Sequence, residues 1–144
     1  MPKMTSKVTA YSENPTKTIV QARDFKIVID EPENFGGTNH GPNPVEYVLS
    51  ALAGCLNVVG HIVAQEMGFE VRGIKIDLEG DLDPSKFMGQ DTDKRAGFEA
   101  IKVTLKPDCD ADEATLAKWL DAIESRCPVS DNLSNATPVE IKVV

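Results

Sequence analysis

The sequence predicts an α+β fold, and three observations carry that prediction. Extended segments stand on both sides of one long helical stretch, no βαβ unit repeats, and 144 residues is the length of one ordinary domain. Residues 1–144 are therefore expected to form a single domain, with no internal repeat or low-complexity segment.

From Lys7 to about Ile29 the pattern is that of two or three antiparallel strands. Thr18, Ile19 and Val20 form one β-branched run, Phe25, Ile27 and Ile29 alternate with Lys26, Val28 and Asp30 in the next, and Ser12-Glu13-Asn14-Pro15 is turn sequence. Glu31 to Pro44 holds Pro32, Gly36, Gly37, Gly41, Pro42 and Pro44, too many breakers for a regular element, so an ordered loop leads into the helix. The helix is expected over Val45 to about Met67, with Asn43 as N-cap, Pro44 at the first helical position and Gly68 as the stop. Its apolar residues cover more than one stripe, which predicts a central position. Glu46, Asn57, His61 and Gln65 interrupt it too often for a membrane span.

Two extended runs follow, Val71 to Leu82 and Phe98 to Leu105, expected to pair across the polar loop Asp83 to Arg95. Acidic residues and then Leu116, Trp119, Leu120 and Ile123 at helical spacing predict an amphipathic helix from Asp112 to about Ser125. A short element opening at Cys127-Pro128 and a last strand over Val139 to Val144 complete the expected order.

Composition removes several function classes. Hydrophobic residues are 41% and charged residues 26% of the chain, a globular balance and not that of a disordered segment. The formal net charge of −8 comes with no basic stripe to release counterions from phosphates, so neither nucleic acid nor an anionic membrane is expected as a partner. Met1 to Lys7 runs into Thr and Ser without an apolar h-region, which makes the cytoplasm the expected location. There is no G-x-G-x-x-G, G-x-x-x-x-G-K-[ST], C-x-x-C or H-E-x-x-H, and no metal or cofactor is expected. Asp81-x-Asp83-x-Ser85 imitates the start of a calcium loop but has Lys86 where Gly is needed and Thr92 where a bidentate Glu is needed. His40 and His61 are too few and too far apart for a metal site.

The cysteines hold the remaining chemistry. Three of them, at spacings of 54 and 18 residues, do not form the dense even framework of a stapled secreted domain; they are either free thiols or a redox pair with a spare. Cys55 lies mid-helix among apolar neighbours and reads as a buried core thiol or as a reactive one. Cys127 precedes Pro128, which can open a helix whose unpaired N–H groups favour a thiolate, and Arg126 stands beside it; a tucked-in small hydrophobe fits the same position. Cys109 lies between Asp108 and Asp110, which disfavour its thiolate.

Two segments resemble one known family. Gly-Gly-Thr-Asn-His-Gly-Pro-Asn-Pro-Val-Glu-Tyr-Val-Leu-Ser-Ala-Leu-Ala-Gly-Cys, from Gly36 to Cys55, and Arg-Cys-Pro-Val-Ser-Asp-Asn-Leu, from Arg126 to Leu133, resemble the OsmC/Ohr family of osmotically induced and organic-hydroperoxide-resistance proteins, in its broader OsmC-like branch. The resemblance implies an OsmC-like fold, an intertwined homodimer with long central helices enclosed by antiparallel sheets. It implies a thiol-dependent hydroperoxide reductase of oxidative or osmotic stress, in which Cys55 is the peroxidatic thiol and Cys127 resolves it, with a dithiol or a lipoylated protein as reductant. A different class of function, a non-catalytic dimer binding a small apolar or sulfur-containing ligand near Cys55, stands beside it.

Two departures from the family's peroxidases concern activation of the thiol. Their Glu directly follows the Asn-Pro, where this chain has Val45, with Glu46 one place later. On an ideal helix Val45 lies about 80° around the axis from Cys55 and Glu46 about 180°. Their early-strand Arg corresponds to Asn14 to Lys17, which contains no Arg. Arg23, Arg126 and Glu46 are accordingly the candidates for activating the thiolate.

Overall fold

A computed structural model describes all residues, 1–144, and forms two compact units, Met1–Val48 and Leu49–Val144. The unit boundary falls inside the long helix.

The N-terminal unit is a three-stranded antiparallel sheet in the order β1(Thr9–Ser12), β2(Thr18–Ala22), β3(Phe25–Ile29). Ala22 pairs with Phe25, so Arg23 and Asp24 form the hairpin turn, and Arg23 takes a left-handed φ of 53°. In the turn before β2, which the sequence suggested as a turn, Asn14 Oδ1 accepts from the backbone N–H groups of Thr16 and Lys17 at 2.9 and 2.7 Å in Asx geometry. The breaker-rich segment after β3 contains a single 3-10 turn, Glu33–Phe35, and is otherwise irregular.

Asp30 organises that segment. It is fully buried, and its carboxylate accepts from Thr16 Oγ1 and Thr38 Oγ1 and from the backbone N–H groups of Glu31, Thr38 and His40. A buried charge is tolerated only when its lone pairs are satisfied in this way. One side chain thereby joins the β1–β2 turn to the loop that runs into the helix.

The long helix, α1, spans Pro44–Met67. Asn43 Oδ1 accepts from Glu46 N and Glu46 Oε1 accepts from Asn43 N, at 2.8 and 2.9 Å, a reciprocal capping box with Pro44 as the first helical residue. Tyr47 donates its hydroxyl to the Val28 carbonyl at 2.7 Å, fastening the first turn of α1 to β3. Gly68, with φ 80°, ends the helix, since the left-handed conformation carries no Cβ penalty there.

In the second unit β4(Gly73–Leu82) and β5(Phe98–Asp108) form an antiparallel ribbon, and α2(Glu113–Arg126) and α3(Pro128–Ser134) follow. The core consists of Leu52, Leu56, Val59, Val63 and Ala64 of α1 with Val71, Trp119, Ile123 and Cys127, partly covered by Ile74, Ile76, Leu78, Ile101 and Leu105 of the ribbon. Full burial of a side chain the size of Val63 or Ile123 stabilises by about 1.5–3 kcal/mol. Trp119 donates its indole N–H to the Gly60 carbonyl at 2.8 Å, and a Cβ on Gly60 would stand 3.0 Å from Ile74 Cδ1 and 3.2 Å from Trp119 Cζ2. Gly60 is therefore where α1 admits α2 and β4 at close range.

By length and composition α1 is apolar enough to cross a membrane, yet its Leu52–Leu56–Val59–Val63 face is core packing and Asn57, His61 and Gln65 interrupt the remainder. The expected strand over Val139 to Val144 is not formed. Residues 135–144 hold no regular element and are exposed, because no strand in the chain pairs with them, and alternation alone does not make a strand without a ladder partner.

Candidate functional site

Cys55 and Cys127 meet. Their Sγ atoms stand 2.9 Å apart, 72 residues distant in sequence, with the Cys127 thiol donating to Cys55 Sγ. Both are free thiols. Cys55 occupies the face of α1 that turns toward the end of α2, while Cys127 is the junction residue between α2 and α3.

The junction is built from backbone bonds. Cys127 N–H donates to the Ile123 carbonyl at 3.0 Å and closes α2, its carbonyl accepts from Asp131 N at 2.9 Å, and its Sγ accepts from Ser130 N at 3.5 Å as the N-cap of α3. Pro128 at the first position of α3 lacks the N–H that would otherwise be unpaired there. Sulfur thus stands where an N-cap oxygen usually does.

The two thiols differ in environment. Cys127 is 1% exposed, whereas Cys55 is half-buried and opens on a groove of about 470 Å³ lined by Gly54, Val58, Val59, Ile62, Arg126 and Pro128. Burial pushes the Cys127 thiol up, and the hydrogen bond and charge of Cys55 push it further, against the N–H groups of Ser130 and Val129, which pull it down. The groove wall is otherwise aliphatic, so an apolar molecule with one polar end can reach the Cys55 sulfur.

Arg126 is the cation in this lining, and its guanidinium is already engaged. Nη1 and Nη2 donate to the two oxygens of Glu66 at 2.6 and 3.1 Å, a two-donor grip that lowers the Glu66 pKa and raises that of Arg126. Glu66 escaped the sequence reading: it is 60 residues from Arg126, and no local pattern signals the pairing.

The other candidates belong to the N-terminal unit. Arg23 is exposed in the β2–β3 turn with its guanidinium 5.0 Å from the centroid of the Phe25 ring. Glu46 closes the capping box with Asn43, nine residues before Cys55, about 13 Å along a helix. Val45 is half-buried in the first turn of α1. Cys109 follows β5, half-buried against the core, beside Asp108 and Asp110, which both bind Arg72.

The sequence of this chain matches the OsmC-like protein family over residues 37–142. No curated protein matches it. Among solved structures, it is similar to an OsmC-like protein from Mycoplasma pneumoniae, with a TM-score of 0.81 and 19% identity over 94% of this chain and 91% of that one. An organic hydroperoxide resistance protein OsmC from Legionella pneumophila gives 0.65 and 18% over 92% and 91%, and the organic hydroperoxide resistance protein OhrB of Bacillus subtilis gives 0.60 and 23% over 92% and 93%. The two motif segments around Cys55 and Cys127, the match along most of the chain and the shared fold agree: this protein belongs to the OsmC-like family.

Proposed function

We propose that the protein is a thiol-dependent hydroperoxide reductase of the stress response, acting in the cytoplasm as a homodimer. The observation that carries this reading is the 2.9 Å approach of Cys55 Sγ, open to a groove, to the buried Cys127 Sγ. A thiolate at Cys55 attacks the terminal oxygen of a hydroperoxide, the O–O bond breaks, and the alkoxide leaves and is protonated to the alcohol. Cys55 is left as sulfenic acid. The Cys127 sulfur then bonds to Cys55 and hydroxide leaves, so that the peroxide has gained two electrons and the thiol pair has become a disulfide. A dithiol, free or lipoyl-bound, returns both thiols by exchange. The aliphatic groove favours organic hydroperoxides over hydrogen peroxide.

The names of the Legionella and Bacillus proteins, which state organic hydroperoxide resistance, agree with this reading. Mass spectrometry after one equivalent of cumene hydroperoxide is expected to show a Cys55–Cys127 disulfide with Cys109 unmodified. Recovery of Cys127 as a free thiol beside oxidised Cys55 would rule out the two-cysteine cycle.

Val45, standing where the family's peroxidases have Glu, favours a second reading in which the groove holds a small apolar or sulfur-containing ligand without turnover. Absence of any alcohol product from cumene hydroperoxide in the presence of excess dithiothreitol would favour it.

A further inference from the structure

A reactive Cys55 requires a group that favours its thiolate, because an aliphatic surround works against the charge. In the groove the titratable side chains are Cys55 and Arg126, with the buried Cys127 behind Cys55, and Arg126 is held by both oxygens of Glu66 at 2.6 and 3.1 Å. A guanidinium whose charge is balanced by a carboxylate in a two-donor grip offers little net field to a third group. From α3, Asp131 is exposed and presents its backbone N–H to the Cys127 carbonyl, not to either sulfur. The one donor that reaches Cys55 Sγ is the thiol of Cys127, at 2.9 Å.

We infer that Cys127 has a second role that precedes disulfide formation: its S–H holds and stabilises the Cys55 thiolate, in place of an arginine. This rests on the reductase reading only for its consequence in the cycle, since the hydrogen bond exists without any peroxide.

The geometry also sets the order of events. While Cys55 is a thiolate, Cys127 keeps its proton, because burial and the neighbouring negative sulfur both oppose a second charge. When Cys55 has become sulfenic acid, that negative charge is gone. Cys127 Sγ then retains the Ser130 N–H at 3.5 Å, the N-cap contact of α3, and can give its proton to the alkoxide or to water and attack Cys55 as the thiolate. Two thiols can thus react in sequence without a separate base, and premature ionisation of the resolving thiol is suppressed by the attacking one.

The test is peptide-resolved alkylation of Cys55 by iodoacetamide as a function of pH, with no peroxide present. Cys127→Ala is expected to slow alkylation of Cys55 at neutral pH about tenfold and to move the profile to higher pH, a one-unit change in thiolate stabilisation. Cys127→Ser, whose hydroxyl can donate, restores the rate to within about threefold of the wild type. Arg126→Met changes it by less than about threefold, as expected for a guanidinium balanced by Glu66. An unchanged rate in Cys127→Ala, an equal loss in the Ala and Ser variants, or a larger loss in Arg126→Met than in Cys127→Ala would each overturn the inference.

If Cys127→Ala does not fold, thiolate absorbance of Cys109→Ser protein supplies the answer on an intact pair. The two protons then leave in steps separated by more than about one unit, and overlapping steps would overturn the inference. Failure of the reductase reading is distinguishable, since a protein that turns over no peroxide can still show the Cys127-dependent profile. Conversely, peroxide-driven disulfide formation with an unchanged profile removes the inference and leaves the reductase.

Discussion

Asp30 is the charged group most completely enclosed by this fold, and its chemistry is set by its donors. Burial pushes its pKa up, but the hydroxyls of Thr38 and Thr16 and the backbone N–H groups of His40 and Glu31 outweigh that and hold the carboxyl well below the usual range. A value depressed in the folded state means stabilisation that is fully present above the unfolded carboxylate pKa of about 3.9 and lost as pH falls through the lower folded value. Urea midpoints, followed by the fluorescence of Trp119, are therefore expected to fall below about pH 4 in the wild type. Asp30→Asn should lower the midpoint at neutral pH and show a smaller further loss in acid. Equal acid losses in the two proteins would exclude Asp30 as a contributor to that limb. Ile123, with 0% exposure, has the other kind of residue-scale role: Ile123→Ala is expected to lower stability by about 2–5 kcal/mol in the same assay.

Between elements, α1 depends on its ends and on one contact. Asn43→Ala removes a helix cap and half of the box with Glu46, and a loss of about 1 kcal/mol is expected by chemical denaturation. At Gly60 the limitation is space. Gly60→Val adds a branched side chain where even a Cβ would stand 3.0 Å from Ile74 Cδ1, and overpacking of about 1–3 kcal/mol is expected. If α2 gives way in that variant, the alkylation profile of Cys55 changes as well, because Cys127 follows the last turn of α2 and its N–H is bonded to Ile123. Stability and thiol reactivity are then linked through one helix contact.

At the scale of the whole molecule, apolar surface is left open. Within Met1–Val48 no apolar side chain is fully buried, and the one fully buried residue is the charged Asp30. A sheet of three short strands with no buried apolar face lacks the main source of stability. Elsewhere Val58 and Ile62 on α1 are 57% and 44% exposed, and Val139 and Ile141 are 78% and 87% exposed in a segment without a ladder partner. A second copy of the chain would cover such surfaces, which agrees with the proposed homodimer. Light scattering at micromolar concentration is expected to give twice the chain mass, and a folded monomer there would rule out an obligate dimer.

The local signals in the sequence determined the element order and most element ends. The strands before Ile29, the helix from Pro44 to Met67, the pairing of β4 with β5, and the short helix opening at Pro128 follow from alternation, caps and breakers whose physics acts within a few residues. The two segments around Cys55 and Cys127 likewise identified the family. The strand expected at Val139 to Val144 failed because a strand needs a ladder partner that its own residues cannot specify. Contacts between distant residues were decided by the tertiary structure alone. Neither the grip of Glu66 on Arg126, nor the donors that Thr16, Thr38 and His40 bring to Asp30, nor the donation from Cys127 to Cys55 has a signature in spacing, since each joins groups that only packing brings within 3.5 Å. For the same reason the charge beside Cys55 could not be read from the sequence: Arg126 is a neighbour of Cys127 by covalent bonds, but whether its charge is available depends on Glu66, which folding places against it.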